Sequence, residues 1–233
     1  MFQRFLYSEK RRSKYIDTSA STKLLDNNLL TKDQAGAFVD ALVDTLAVLT
    51  KERRELLHSL FEKGLYKIMQ ENSKSLHEWM LGVPEQIPKK QSDKVYELLS
   101  RGLEKDPYFK TTSADHLSAA IDNNCDNLVV LNGKPSFIDI MSPMFVWRVV
   151  DEYATVSRTI VDLEVLGNGE LGDTARAAYA KYQRDIPPTA RLMHELRAAC
   201  IQWPYRYMLK QDSMAVKFGA YAQKKMVELE ILL

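Results

Sequence analysis

The sequence predicts a mainly α-helical protein with one small β-hairpin at about residues 128–140. Three observations carry that prediction. Apolar residues recur at helical spacing over most of the chain from residue 32 onward. Asn132-Gly133 lies between two β-rich runs, Leu128-Val129-Val130-Leu131 and Ser136-Phe137-Ile138-Asp139-Ile140. Both central residues of a type I′ turn need positive φ, which makes Asn-Gly the strongest short hairpin signal. Proline and glycine punctuate the helical segments at their ends.

Residues 1–30 are polar and irregular and read as a partly ordered leader, ahead of a single helical domain over 31–233. Lys10-Arg11-Arg12-Ser13-Lys14, with Phe2, Phe5, Tyr7 and Tyr15 around it, is the one mixture of basic and aromatic residues that suits a nucleic acid. The remaining chain is not basic, so nucleic acid is not the expected partner. Thr31 caps a helix from about residue 32, with Phe38, Val39, Leu42, Val43, Leu46 and Leu49 on its core face. The pattern continues through Leu56, Leu57, Leu60, Phe61, Leu65 and Ile68, with a break or kink at Gly64. Pro84 and Pro88 make 82–92 a loop. Ser92 is the expected cap of the next helix, which buries Val95, Leu98, Leu99 and Leu103 and stops at Asp106-Pro107. After the hairpin, helical periodicity runs from about 145 to 166 and ends at Gly167. Another helix follows near 171–184. Pro187-Pro188 opens the next, which carries Leu192, Leu196, Ala199 and Trp203. The last starts at about Ser213 and turns Phe218, Tyr221, Met226 and Leu229 inward.

Composition narrows the function classes. The chain has 233 residues, 45% apolar and 27% charged, with a formal net charge of +1, so overall charge selects no partner. No apolar run is long enough to span a bilayer, and the N-terminus lacks a signal-peptide pattern, so a cytoplasmic location is expected. Cys125 and Cys200 form no CxxC pair. The four histidines (His58, His77, His116, His194) have no zinc spacing.

One stretch carries chemistry: Ala120-Ile121-Asp122-Asn123-Asn124-Cys125-Asp126-Asn127-Leu128, with Asp139 twelve residues beyond Asn127. Phosphoryl transfer from ATP needs such groups. One carboxylate orients the attacking hydroxyl and accepts its proton, while an amide oxygen and a second carboxylate hold Mg²⁺ against the phosphates. A two-residue turn at 132–133 pairs residue 127 with 138 and 126 with 139. Pleat alternation then puts Asp126 on the face of Asp139, whereas a wider turn or a bulge puts Asn127 there. Asp-x₄-Asn alone is weak, since a chain of this length holds roughly one by chance. Asp and Asn also favour plain turns.

The longer pattern resembles the aminoglycoside-phosphotransferase-like kinases, especially the bacterial branch often fused to an ATP-binding domain. That branch carries HGDLHxGNI, a hairpin, FDCIEF and then LRxxDVxxDxAFLxMDLExxG. Asp122, Asn127 and Leu128 fall on the D, N and I of its first motif. Gly133 and Pro135 suit the hairpin, and Asp139 falls on the metal aspartate. Without a gap, Arg148, Asp151, Asp162-Leu163-Glu164 and Gly167 fall on the later positions. The departures are Ala120 and Asn124 for the two histidines, Asp126 for the glycine, Ser142 for the glutamate of FDCIEF and Thr155 for a later aspartate. The match covers about 120–167.

The resemblance implies a kinase-like C-lobe with ATP and Mg²⁺ as cofactors. Asp122 is the implied catalytic base. Asn127 and Asp139 are the implied cofactor and Mg²⁺ ligands, with Asp126 an additional candidate. Arg148 and Asp151 support the loop. No GxGxxG or GxxxxGK[ST] precedes Asp122, where the residues read as helices rather than a β-rich nucleotide-gripping lobe. The expected function is therefore phosphoryl transfer to a small-molecule hydroxyl with an N-lobe supplied by another chain. The alternative is a non-catalytic, pseudokinase-like binding module whose uncovered face meets a partner protein or a second copy.

Overall fold

Thr31 opens the first helix with both halves of a capping box. The computed structural model describes residues 30–111, 116–131, 134–137, 148–182 and 185–233. In it the Gln34 backbone N–H donates to the Thr31 hydroxyl at 3.2 Å, and the Thr31 N–H donates to the Gln34 side chain at 3.0 Å. Helix α1 (Lys32–Arg53) buries the expected stripe from Phe38 to Leu49. The pattern beyond it is not one helix. A one-turn α2 (His58–Phe61) is followed by α3 (Gly64–Met80). Gly64 has φ +75°, a conformation that costs a residue without Cβ almost nothing. The break rephases the chain, so Leu57, Leu60, Phe61, Leu65 and Ile68 are buried while Leu56, expected in the core, is 79% exposed.

Helix α4 (Lys89–Lys105) starts earlier than expected, with Pro88 rather than Ser92 at its N-cap. Proline's fixed φ suits a helix entrance. Ser92 lies inside the helix, fully buried, and donates its hydroxyl to the His77 carbonyl at 3.2 Å. The short α5 (Tyr108–Thr111) follows the stop at Asp106-Pro107.

Two small antiparallel sheets come next. The hairpin joins β2 (Leu128–Leu131) to β3 (Lys134–Phe137), and Leu131 pairs with Lys134 and Leu128 with Phe137. This is the register of a two-residue connection, so β2 and β3 hold no bulge between those pairs. Residues 132–133 and 138–147 lie outside the described residues. The second sheet was not expected. It pairs β1 (Leu117–Ala119) with β4 (Val149–Asp151), Leu117 opposite Asp151. The helix expected from residue 145 is thus corrected over 149–151. Val149 and Val150 are β-branched, fully buried and paired with β1. Asp151 then caps α6 (Glu152–Asp162), accepting the Tyr153 N–H at 2.8 Å.

A π-helical turn (Leu163–Gly167) joins α6 to α7 (Gly169–Ala180), which Asn168 caps. Helix α8 (Pro188–Met208) packs against α9 (Asp212–Leu232), α6 and α3. Most buried apolar residues, from Leu30 to Leu229, form one core, and Ala120, Val150 and Ala154 form a small second cluster. No helix among the described residues is long and apolar enough to cross a membrane. The polar segment 1–29 lies outside the described residues.

Candidate functional site

The loop between β1 and β2 is polar in sequence yet largely buried. Burying polar groups demands partners, and helix α6 supplies most of them. Asn123, fully buried, donates its side-chain amide to the Thr155 carbonyl at 2.7 Å and to the Thr159 hydroxyl at 2.8 Å. Asp122 pairs with Arg158 at 2.7 Å, with side chains only 17% and 12% exposed, and accepts from the Asn124 amide at 3.0 Å. Asn124 in turn caps the 3₁₀ turn (Cys125–Asn127), accepting the Asp126 N–H at 3.0 Å. Asn127 is buried and donates its Nδ2 to the Asp122 carbonyl at 2.6 Å.

Helix α8 supplies the other anchor. Arg206, with no exposed surface, pairs with Asp126 at 2.9 Å and bonds Gln202 and Gln211 at 3.1 and 2.8 Å. Its guanidinium also lies 2.9 Å from the Cys125 sulfur. The Cys125 N–H donates to Asp162 at 2.7 Å. Burial pushes the Asp162 carboxyl up to about 7 against the opposing pull of Arg206 and of that N–H. Burial, and the neighbouring charge of Arg158, bring Arg197 down to about 9.

Asp151 closes the far end of β4. Burial raises its carboxyl to about 6, opposed by hydrogen bonds from the Tyr108 hydroxyl and the Tyr153 N–H. His194 stands 3.9 Å from it, and burial holds the imidazole down at about 3. Farther on, Glu164 and Glu195 share Arg176 and Tyr221, and Lys225 pairs with Glu195, in a largely buried ionic network. Burial opposes the Arg176 charge, but Glu195 and Glu164 more than offset it and raise its pKa.

The expected residues therefore divide. Asp122 and Asn127 are brought together. Asp126 is held by Arg206. The Arg148 carbonyl accepts the Ala120 N–H at 2.7 Å where the loop begins, and Asp151 caps α6. Asp139 and Ser142 lie outside the described residues. Among the described residues no group of three or more His, Cys, Asp or Glu is arranged to hold a metal ion. Sequence reasoning missed Arg158, Asp162 and Arg206 as anchors. A signal existed: Thr155, Arg158, Thr159 and Asp162 share one helical face, a polar stripe that has to meet a polar partner. Comparison with family models, curated proteins and solved structures finds no match to this chain.

Proposed function

We propose that the loop and hairpin form a phosphoryl-transfer centre that works with ATP and Mg²⁺ on a small-molecule hydroxyl. The observation that carries this reading is the 2.6 Å bond from Asn127 Nδ2 to the Asp122 carbonyl, which ties the Asn127 side chain to the Asp122 main chain. Asp122 would orient the acceptor hydroxyl and take its proton. Asn127, donating through nitrogen, would offer its oxygen to Mg²⁺. Asp139, two residues beyond the Phe137 that pairs with Leu128, would be the second ligand. Catalysis of this kind is mainly positioning and electrostatic stabilisation, and Arg158 adds positive charge beside Asp122. A nucleotide-covering lobe would come from another polypeptide. Cys125 and Cys200 are buried and form no disulfide, in keeping with a reducing, ATP-containing compartment such as the cytoplasm.

Titration calorimetry of ATP, with and without Mg²⁺, on the wild type and on Asp139→Ala tests the proposal. Saturable, Mg²⁺-dependent binding that disappears in the variant is expected. Equal binding by the variant, or no Mg²⁺-dependent heat at millimolar nucleotide, would refute it for this chain acting alone.

A second reading has its own observation. Asp122 and Asp126 are each committed to an arginine, as in a loop kept for shape. In that case the chain is a non-catalytic binding module, and a complex with its partner protein survives Asp122→Ala.

A further inference from the structure

Helix α9 is apolar on both sides, which a helix covering one edge of a core does not require. Its inner face buries Ala215, Phe218, Tyr221, Ala222 and Leu229. Its outer face carries Val216, Val227 and Ile231, which are 61%, 60% and 78% exposed, with exposed Ala220 between them. At 3.6 residues per turn these four fall within about 60° of one another. A stripe of this kind marks a contact surface.

We propose that the outer face of α9 is a self-association surface on which two copies of this chain pair antiparallel. The spacing is self-complementary about a point between Gln223 and Lys224. An antiparallel copy brings Val216 level with Ile231 and Ala220 level with Val227, so the small residue receives a larger one at each crossing. The charges agree. Lys217, on the rim of the stripe, has no ion-pair partner among the described residues. Glu228 of the second copy reaches the same rim within about 3 Å along the axis, at 1.5 Å rise per residue. Glu228 is 35% exposed and now shared by Lys225 at 3.0 Å and Lys224 at 3.9 Å, so it is acidic and reachable. A parallel pair would instead set Lys217 against Lys217. One helix pair of this length buries less than the roughly 1,200 Å² of a standard interface, so the dimer is weak and concentration-dependent.

Sedimentation velocity on the full chain, from about 5 µM to about 1 mM, spans the range in which an interface of this size dissociates. The dimer fraction is expected to rise across that range. Val227→Glu should abolish it with an unchanged circular-dichroism spectrum and melt, because Val227 contributes little to the core. Lys217→Glu should weaken the dimer, and the double variant Lys217→Glu with Glu228→Lys should restore it. A monomer at every concentration overturns the proposal, whatever else covers the face. A dimer that persists in folded Val227→Glu overturns it too.

Discussion

Replacing Asp162 with asparagine tests whether burial outweighs the arginines around the loop. The Asp162 carboxyl has no exposed surface. One oxygen accepts the Cys125 N–H at 2.7 Å and faces the Gln202 amide at 3.5 Å, while the other has no hydrogen-bond partner among the described residues. Its pKa is raised from 3.8 to about 7. Below about pH 4 the group is protonated whether the chain is folded or not, and it contributes nothing. Between about pH 4 and 7 the unfolded chain releases the proton and the folded chain keeps it, so stability falls as pH rises. The full cost, reached near pH 8, is about three pKa units at 1.36 kcal/mol each, or about 4 kcal/mol. Asp151, raised to about 6, acts with the same sign. His194, lowered from 6.5 to about 3, acts with the opposite sign, losing stability as pH falls from about 6.5 to 3. Comparing Asp162→Asn with wild type cancels both. Asparagine keeps an oxygen for the Cys125 N–H and never ionises. Urea titrations at several pH values should show the variant gaining on wild type by several kcal/mol between pH 4 and 8. A gap that does not change with pH refutes the reasoning, because it means that Asp162 is ionised throughout.

Two other substitutions probe the packing around the site. In Gly219→Ala the added Cβ would stand 2.7 Å from Cε2 and 2.9 Å from Nε1 of the Trp203 indole, a rigid ring that must shift. The loss should be about 1–3 kcal/mol by urea denaturation, and no loss would mean that α8 and α9 can part slightly without strain. Asp126→Ala leaves Arg206, which has no exposed surface, without its carboxylate. That should cost about 3 kcal/mol by the same assay. A cost near zero would show that Gln202, Gln211 and the Cys125 sulfur are enough to hold the guanidinium.

Local rules were legible where local forces decide. The Thr31 cap, the α1 stripe and the Asn-Gly hairpin each depend on residues only a few positions apart, and the described parts of all three are found. Strand β4 depends on β1, thirty residues earlier in a run (Leu117-Ser118-Ala119) with little β character of its own. Helical periodicity through 149–151 therefore gave the wrong element. Leu56 went wrong for a related reason, since periodicity carried across a break loses its phase. At Ser92 two entrance signals competed, and the fixed backbone of Pro88 won.

The departures of the loop from the kinase-like pattern have structural partners. Asn124, where that pattern has a histidine, caps the 3₁₀ turn. Asp126, where it has glycine, meets Arg206, eighty residues away in sequence. Ala120, where it has the other histidine, is buried and tied through its N–H to the Arg148 carbonyl. The loop, which holds no histidine, is thus shaped by anchors on α6, on α8 and at Arg148, just before β4. Asn127 contacts Asp122 through the backbone carbonyl and not through the carboxylate. Hence the spacing of the two residues survives any change to the Asp122 side chain. Side chain and main chain are held separately at this position: the carboxylate answers to Arg158 and Asn124, while the main chain answers to Asn127.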